Sequence, residues 1–197
     1  MTRENHEIVR AELMPMDAYA AIRKQKRTEV SAIKQDRRLG VGPFATFYFE
    51  NYDTMWIQIH EMLFIEKGGE AQIEDELTAY NPLIPKGKEL VATLMFEIDD
   101  PVRRDAELRR LTGVERTVAL RVGGETIAAI PESDVERTKA DGKTSSIHFL
   151  RFPMTDTQIA AFRENTSEAV LAIGHEHYGH MAVVPRAVRT ALQSDFD

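Results

Sequence analysis

The sequence predicts an α+β fold: a single domain with a mostly antiparallel sheet and helices packed on one side of it. Three observations carry this. The chain has 197 residues, 43% of them hydrophobic and 29% charged, which suits one unit with a proper core. Apolar residues recur at helical spacing in the N-terminal half, whereas the C-terminal half alternates apolar and polar residues between turn signals. Regular β-α-β alternation is missing, and strands joined by hairpins imply antiparallel pairing with helices to one side.

Residues 1–15 read as a loosely structured segment punctuated by Pro15, leaving 16–197 as the domain. Asp17 caps a helix of about 20 residues in which Tyr19, Ile22, Val30 and Ile33 share a face. Leu39-Gly40-Val41-Gly42-Pro43 breaks that helix, and Phe44 to Glu50 reads as a strand. Asn51 to Glu66 is a second helix, apolar nearly all round and therefore buried on most sides. Gly68-Gly69 ends it, an acidic helix runs from Glu70 to Tyr80, and Asn81 to Pro85 forms a loop.

Residues 88–98 alternate as a half-buried strand, and Asp100-Pro101 opens a helix closed by Gly113. Val118 to Ile130 is a hairpin turning at Gly123-Gly124, and Ser145 to Phe152 is a further strand. Thr155 and Gln158 form a capping box for a helix reaching about Asn165. Glu168 to Gly174 and Met181 to Val184 are the last strands, before a helical tail.

Composition excludes several function classes. With no cysteine there is no disulfide, thiolate zinc site, cysteine-ligated iron–sulfur cluster or cysteine nucleophile. A net charge of −7 opposes general nucleic-acid binding, which sets cations against phosphates. No apolar run approaches the ~20 residues that span a bilayer, and no signal-peptide core is present, so a cytoplasmic protein off the membrane is expected. The charge is uneven: Asp17 to Arg38 holds seven basic and three acidic residues, a local +4 in a chain of −7.

Gly174-His175-Glu176-His177-Tyr178-Gly179-His180 places three of the six histidines in six residues. It lies between two predicted strands, as a hairpin tip. His175 and His177 would share a strand face, and a turn at Gly179 can bring His180 back to them. Imidazoles with a carboxylate bind iron, zinc or copper at about 2 Å. The helical HExxH pattern is absent, because Gly179 and Phe64 stand where it needs histidine. An exposed polar hairpin explains the same residues.

His148 lies mid-strand among Leu150 and Phe152, as a hydrogen-bonded core histidine or as a ligand. Arg151, on the opposite face, could pair with a carboxylate or bind an anionic ligand or cofactor. Glu61 belongs to a polar stripe with Gln58 and Thr54, and Glu66 falls on an apolar face near a helix end where it reaches solvent. His60, near Trp56 and Leu63, reads as structural. Gly40-Val41-Gly42-Pro43 is a weak phosphate-loop signal, since it precedes a strand and lacks a Walker lysine-serine pair.

Glu50-Asn51, Gln58, Glu61-Met62, Tyr80-Asn81-Pro82-Leu83-Ile84-Pro85, Leu90 to Glu97 and His148-Phe149-Leu150-Arg151-Phe152 occur in order. Together they resemble an uncharacterised bacterial domain-of-unknown-function family, over roughly Met14 to the C-terminus. The resemblance implies genes lying beside rubrerythrin-like di-iron proteins and heterodisulfide-reductase-like iron–sulfur proteins, hence a role near redox or peroxide metabolism. It implies histidines at His148 and near His175 and His180, and glutamine more often at His60. It sets His177 apart as peculiar to this sequence.

Two readings follow. In the first, the protein is a metal-binding accessory of a redox system, an oxidoreductase if an enzyme. Iron or zinc would be held by His148, His175 and His180, with His177, Glu61 or Glu97 completing the site. In the second, it is a non-catalytic adaptor whose basic helix docks an acidic rubrerythrin-like or iron–sulfur protein.

Overall fold

A computed structural model describes residues 6–132, 142–164 and 167–197. The chain runs through α1 (Met16–Gln35), β1 (Arg38–Val41), β2 (Ala45–Phe49), α2 (Tyr52–Glu66), α3 (Glu70–Tyr80), β3 (Glu89–Phe96) and α4 (Pro101–Arg110). There follow β4 (Val118–Val122), β5 (Glu125–Ala128), β6 (Ile130–Pro131), β7 (Ile147–Pro153), α5 (Asp156–Glu164), β8 (Ala169–His175), β9 (Tyr178–Val183) and α6 (Arg186–Leu192). The α+β expectation holds, with a helical N-terminal half and antiparallel strands.

Caps fix several boundaries. The Asn51 side chain accepts from the Thr54 amide at 2.9 Å, and the Thr54 hydroxyl accepts from the Asn51 amide at 2.9 Å, which starts α2. Asp100 accepts from the Arg103 amide at the head of α4. Thr155 and Gln158 make the expected reciprocal box at α5, at 2.9 and 3.3 Å.

The strands make two sheets, a five-stranded one in the order β1-β2-β3-β7-β6 and a four-stranded one in the order β5-β4-β8-β9. The inner face of the first carries Phe47, Leu94, Leu150 and Phe152, and packs on Leu120, Leu171 and Ile173 of the second. The outer face carries Val91 and Phe149, and packs on Met55, Ile59 and Leu63 of α2 and on Leu77 of α3. This explains why β3 departs from half-buried alternation: both faces are covered, so Val91, Ala92 and Thr93 are all buried.

Segment 6–15, expected to be loose, lies on the helical layer. Ile8 is buried, its amide donates to the Asn81 side chain, and its carbonyl accepts from it. The predicted breaker after α1 is instead half of a hairpin, since Leu39 and Val41 point inward while Arg38 and Gly40 point out. Arg37, at its foot, is buried. It donates to the carbonyls of Phe49, Glu50 and Ala191 and forms an ion pair with buried Asp195. Burial pushes the Asp195 carboxyl up to about 6, against the pull of Arg37.

Candidate functional site

Tyr178 organises the hairpin that carries the histidines. Its hydroxyl donates to the Val41 carbonyl at 2.8 Å and accepts from the amides of Phe44 and Ala45 at 3.1 and 3.0 Å. Burial raises its pKa. These bonds tie the β1–β2 turn to β9 and close one side of the inter-sheet core. Gly42 sits in that turn at φ +74, and a Cβ there would lie 2.7 Å from both the His180 ring and the Tyr178 hydroxyl. Conformation and space both demand glycine. The loop read as a weak phosphate signal is this close contact.

The histidines are dispersed. His175 ends β8 and its Nε2 bonds the Thr112 carbonyl at 3.1 Å, while its Nδ1 accepts from the His177 amide at 3.2 Å. His177 lies not in a strand but in the two-residue turn between β8 and β9, with its Nε2 3.4 Å from a Glu176 carboxylate oxygen. The rings of His175 and His177 are 5.8 Å apart. His180, in β9, pairs with Ile173 of β8 and packs its ring on Tyr178 at 4.5 Å between centroids.

His148 is 1% exposed on β7. Its Nε2 lies 2.9 Å from the Ser145 carbonyl, and its Nδ1 faces a buried Glu115 oxygen at 3.9 Å. The ring of Phe96 stands between this pair and the hairpin, with its centroid 6.0 Å from both His148 and Tyr178. Among the described residues no three His, Asp or Glu side chains converge to hold a metal.

Glu61 and Arg151 lie on the other face of the five-stranded sheet. Glu61 takes a bidentate pair from Arg23 at 2.8 Å and a hydrogen bond from the Tyr19 hydroxyl at 2.7 Å. The Arg23 guanidinium holds its carboxyl below the usual range, and burial with the Glu61 contact pushes the Tyr19 phenol up. This clamp fixes α1 on α2. Arg151 is likewise engaged, with Glu89 at 2.6 Å and the Pro82 carbonyl. Glu97 accepts from Thr46 and Tyr48, at 2.7 Å each. Glu66 reaches solvent and accepts from Gln72.

Clamped this way, α1 buries only Tyr19 fully. A concavity of about 710 Å³ runs along its outer side, where exposed Lys24 and Arg27 stand one helical turn apart. Neither has an ion-pair partner among the described residues. Sequence reading found this charge run. It missed the Arg37–Asp195 and His148–Glu115 pairs, because each joins residues far apart in the chain with no local pattern to mark them.

A family model described as "Protein of unknown function (DUF3501)" matches residues 7–196. No curated protein matches the chain. A crystal structure of a novel protein of unknown function from Burkholderia pseudomallei is similar, with 38% identity and a TM-score of 0.89. That match covers 96% of this chain and 99% of the other.

Proposed function

The chain belongs to the DUF3501 family, and from that premise we propose that it is a non-catalytic docking protein that receives an acidic partner on the exposed face of α1. The observation that carries this is the pair of exposed cations, Lys24 and Arg27, without an ion-pair partner among the described residues, on a helix locked in place by Tyr19, Arg23 and Glu61. Fixed cations steer an acidic protein to one face and set its orientation. The family resemblance drawn from the sequence makes a rubrerythrin-like or iron–sulfur protein the partner to try first.

Binding of a rubrerythrin-like di-iron protein should weaken steeply between ~0.01 and ~1 M salt, as the Debye length shrinks from ~30 to ~3 Å. The double reversal K24E/R27E should abolish it. Binding indifferent to both changes sinks the reading.

A second reading keeps the histidine-bound metal, iron or zinc, at the β8–β9 turn. It is favoured by one observation, that His175, His177 and Glu176 cluster there, with rings 5.8 Å apart and a carboxylate 3.4 Å from His177. Occupancy would draw His175 away from Thr112, and His148, His180 and Glu61 would take no part. Stoichiometric metal in untagged protein, lost in H175A/H177A, supports it. Metal-free protein that takes up no iron or zinc at micromolar levels removes it.

A further inference from the structure

Next to the cationic channel lies a second concavity, of about 660 Å³. Its walls are Leu13, Met14 and Met16 ahead of and into α1, Leu63 and Phe64 at the end of α2, and Ile73 on α3. At its rim Arg10 is neutralised by Glu70, whereas Lys67 has no ion-pair partner among the described residues. This size, with apolar walls and rim charges that offset one another, Arg10 against Glu70 and Lys67 against exposed Asp17, suits a bulky apolar group. Two methionines make the walls adaptable to its shape.

The two concavities share one wall, Phe64. The Arg23 guanidinium lies over that ring, 4.5 Å from its centroid, and is already neutralised by Glu61. The excess positive charge near the shared wall is therefore that of exposed Lys24 and Arg27 on one side, since Lys67 on the other is offset by Asp17 of the same lining. An apolar receptor with exposed cations along one side is complementary to a segment that is itself apolar on one stripe and acidic beside it.

We propose that the partner binds through an acidic amphipathic segment, which seats a bulky apolar side chain against Phe64 and Ile73 and lays carboxylates along Lys24 and Arg27. This rests on the docking reading of α1 and names the chemistry of what docks. A helix in a groove, anchored at i, i+3 and i+4, has this form.

The test uses the full chain and two fluorescein-labelled peptides of about 16 residues, roughly 24 Å of helix. Both carry the same glutamates. One has leucine and phenylalanine at helical spacing, and the other has alanine there. In fluorescence anisotropy the apolar peptide should bind about ten-fold or more tightly than the alanine peptide, a difference of ~1.4 kcal/mol. I73E should erase that difference, while K24E/R27E should weaken both peptides.

Equal affinity of the two peptides for the unaltered protein, or no binding by either, overturns the anchor pocket without relying on any variant. If both bind equally and both respond to K24E/R27E, the anchor falls and the docking face stands. If the apolar preference persists but K24E/R27E changes nothing, the cationic face falls, and with it the acidic part of this inference.

Discussion

The two faces of the five-stranded sheet are built differently. The inner face is sealed: Phe47, Leu94, Leu150 and Phe152 meet the second sheet with no measurable exposure, and Tyr178 and Arg37 stitch its margins with hydrogen bonds to main-chain carbonyls. The outer face is covered by helices. Its contacts are anchored by discrete polar clamps, Tyr19–Glu61–Arg23 and the His60 ring that joins the Trp56 carbonyl to the Met14 amide, with two large concavities beside them. The sealed side holds the molecule together, and the clamped side has surface to offer a partner. The buried His148–Glu115 pair belongs to the sealed side.

Substitutions can break this contrast. Phe47→Ala, in the sealed layer, should cost ~3–5 kcal/mol, read as a lower urea midpoint. A loss below ~1 kcal/mol would show that the inner layer is no tighter than the outer. Glu61→Gln removes the charge that receives Arg23 and should cost a smaller ~1–3 kcal/mol. It should also raise hydrogen exchange along α1 while leaving the sheets protected. Uniform loosening would mean the two layers unfold as one.

His60 sharpens the contrast through pH. Its Nδ1–H donates to the Trp56 carbonyl at 2.7 Å and its Nε2 accepts from the Met14 amide at 3.0 Å, so the neutral ring is required. Burial lowers its pKa from the ordinary 6.5. A histidine kept neutral by folding contributes stability that is fully present above 6.5 and lost as pH falls through the lowered value. Acid should therefore release the segment around Met14 before the sheets. The ring stacks 3.8 Å from Trp56, the single tryptophan, so fluorescence reads the step. His60→Gln should flatten it, and an unchanged profile would place the titration elsewhere. The smallest expected effect is that of K24E/R27E on stability, within ~0.5 kcal/mol; a larger loss would make these cations structural.

Local chemistry was legible in the sequence. Thr155 with Gln158 and Asp100 before Pro101 each start a helix within four residues of themselves, and both do so in the structure. The division into two sheets was not legible, because whether β4 pairs with β8 or with β7 depends on contacts between distant segments. The alternation of Leu39 and Val41 was visible, but the glycines between and after them dominated the reading. Of the histidine cluster, only His175 and His177 remain neighbours in the structure. A two-residue turn puts His177 at the tip, and strand pairing carries His180 to Gly42, away from His175 on Thr112. Spacing in the chain gives neighbourhood, but only the turn type decides which side chains meet.

The Arg37 contact has a consequence for the order of events during synthesis. Its guanidinium meets Asp195 across 158 positions of chain. While a ribosome is still working through the second sheet, the first hairpin carries a cation whose counter-charge has not yet been made. Desolvating that cation alone would be costly, so the hairpin's foot should stay hydrated on the nascent chain. Contacts this distant in sequence are also slow to form. Closure of the sealed layer is thus timed by the arrival of Asp195, and the clamped helices, whose contacts are far more local, can assemble first.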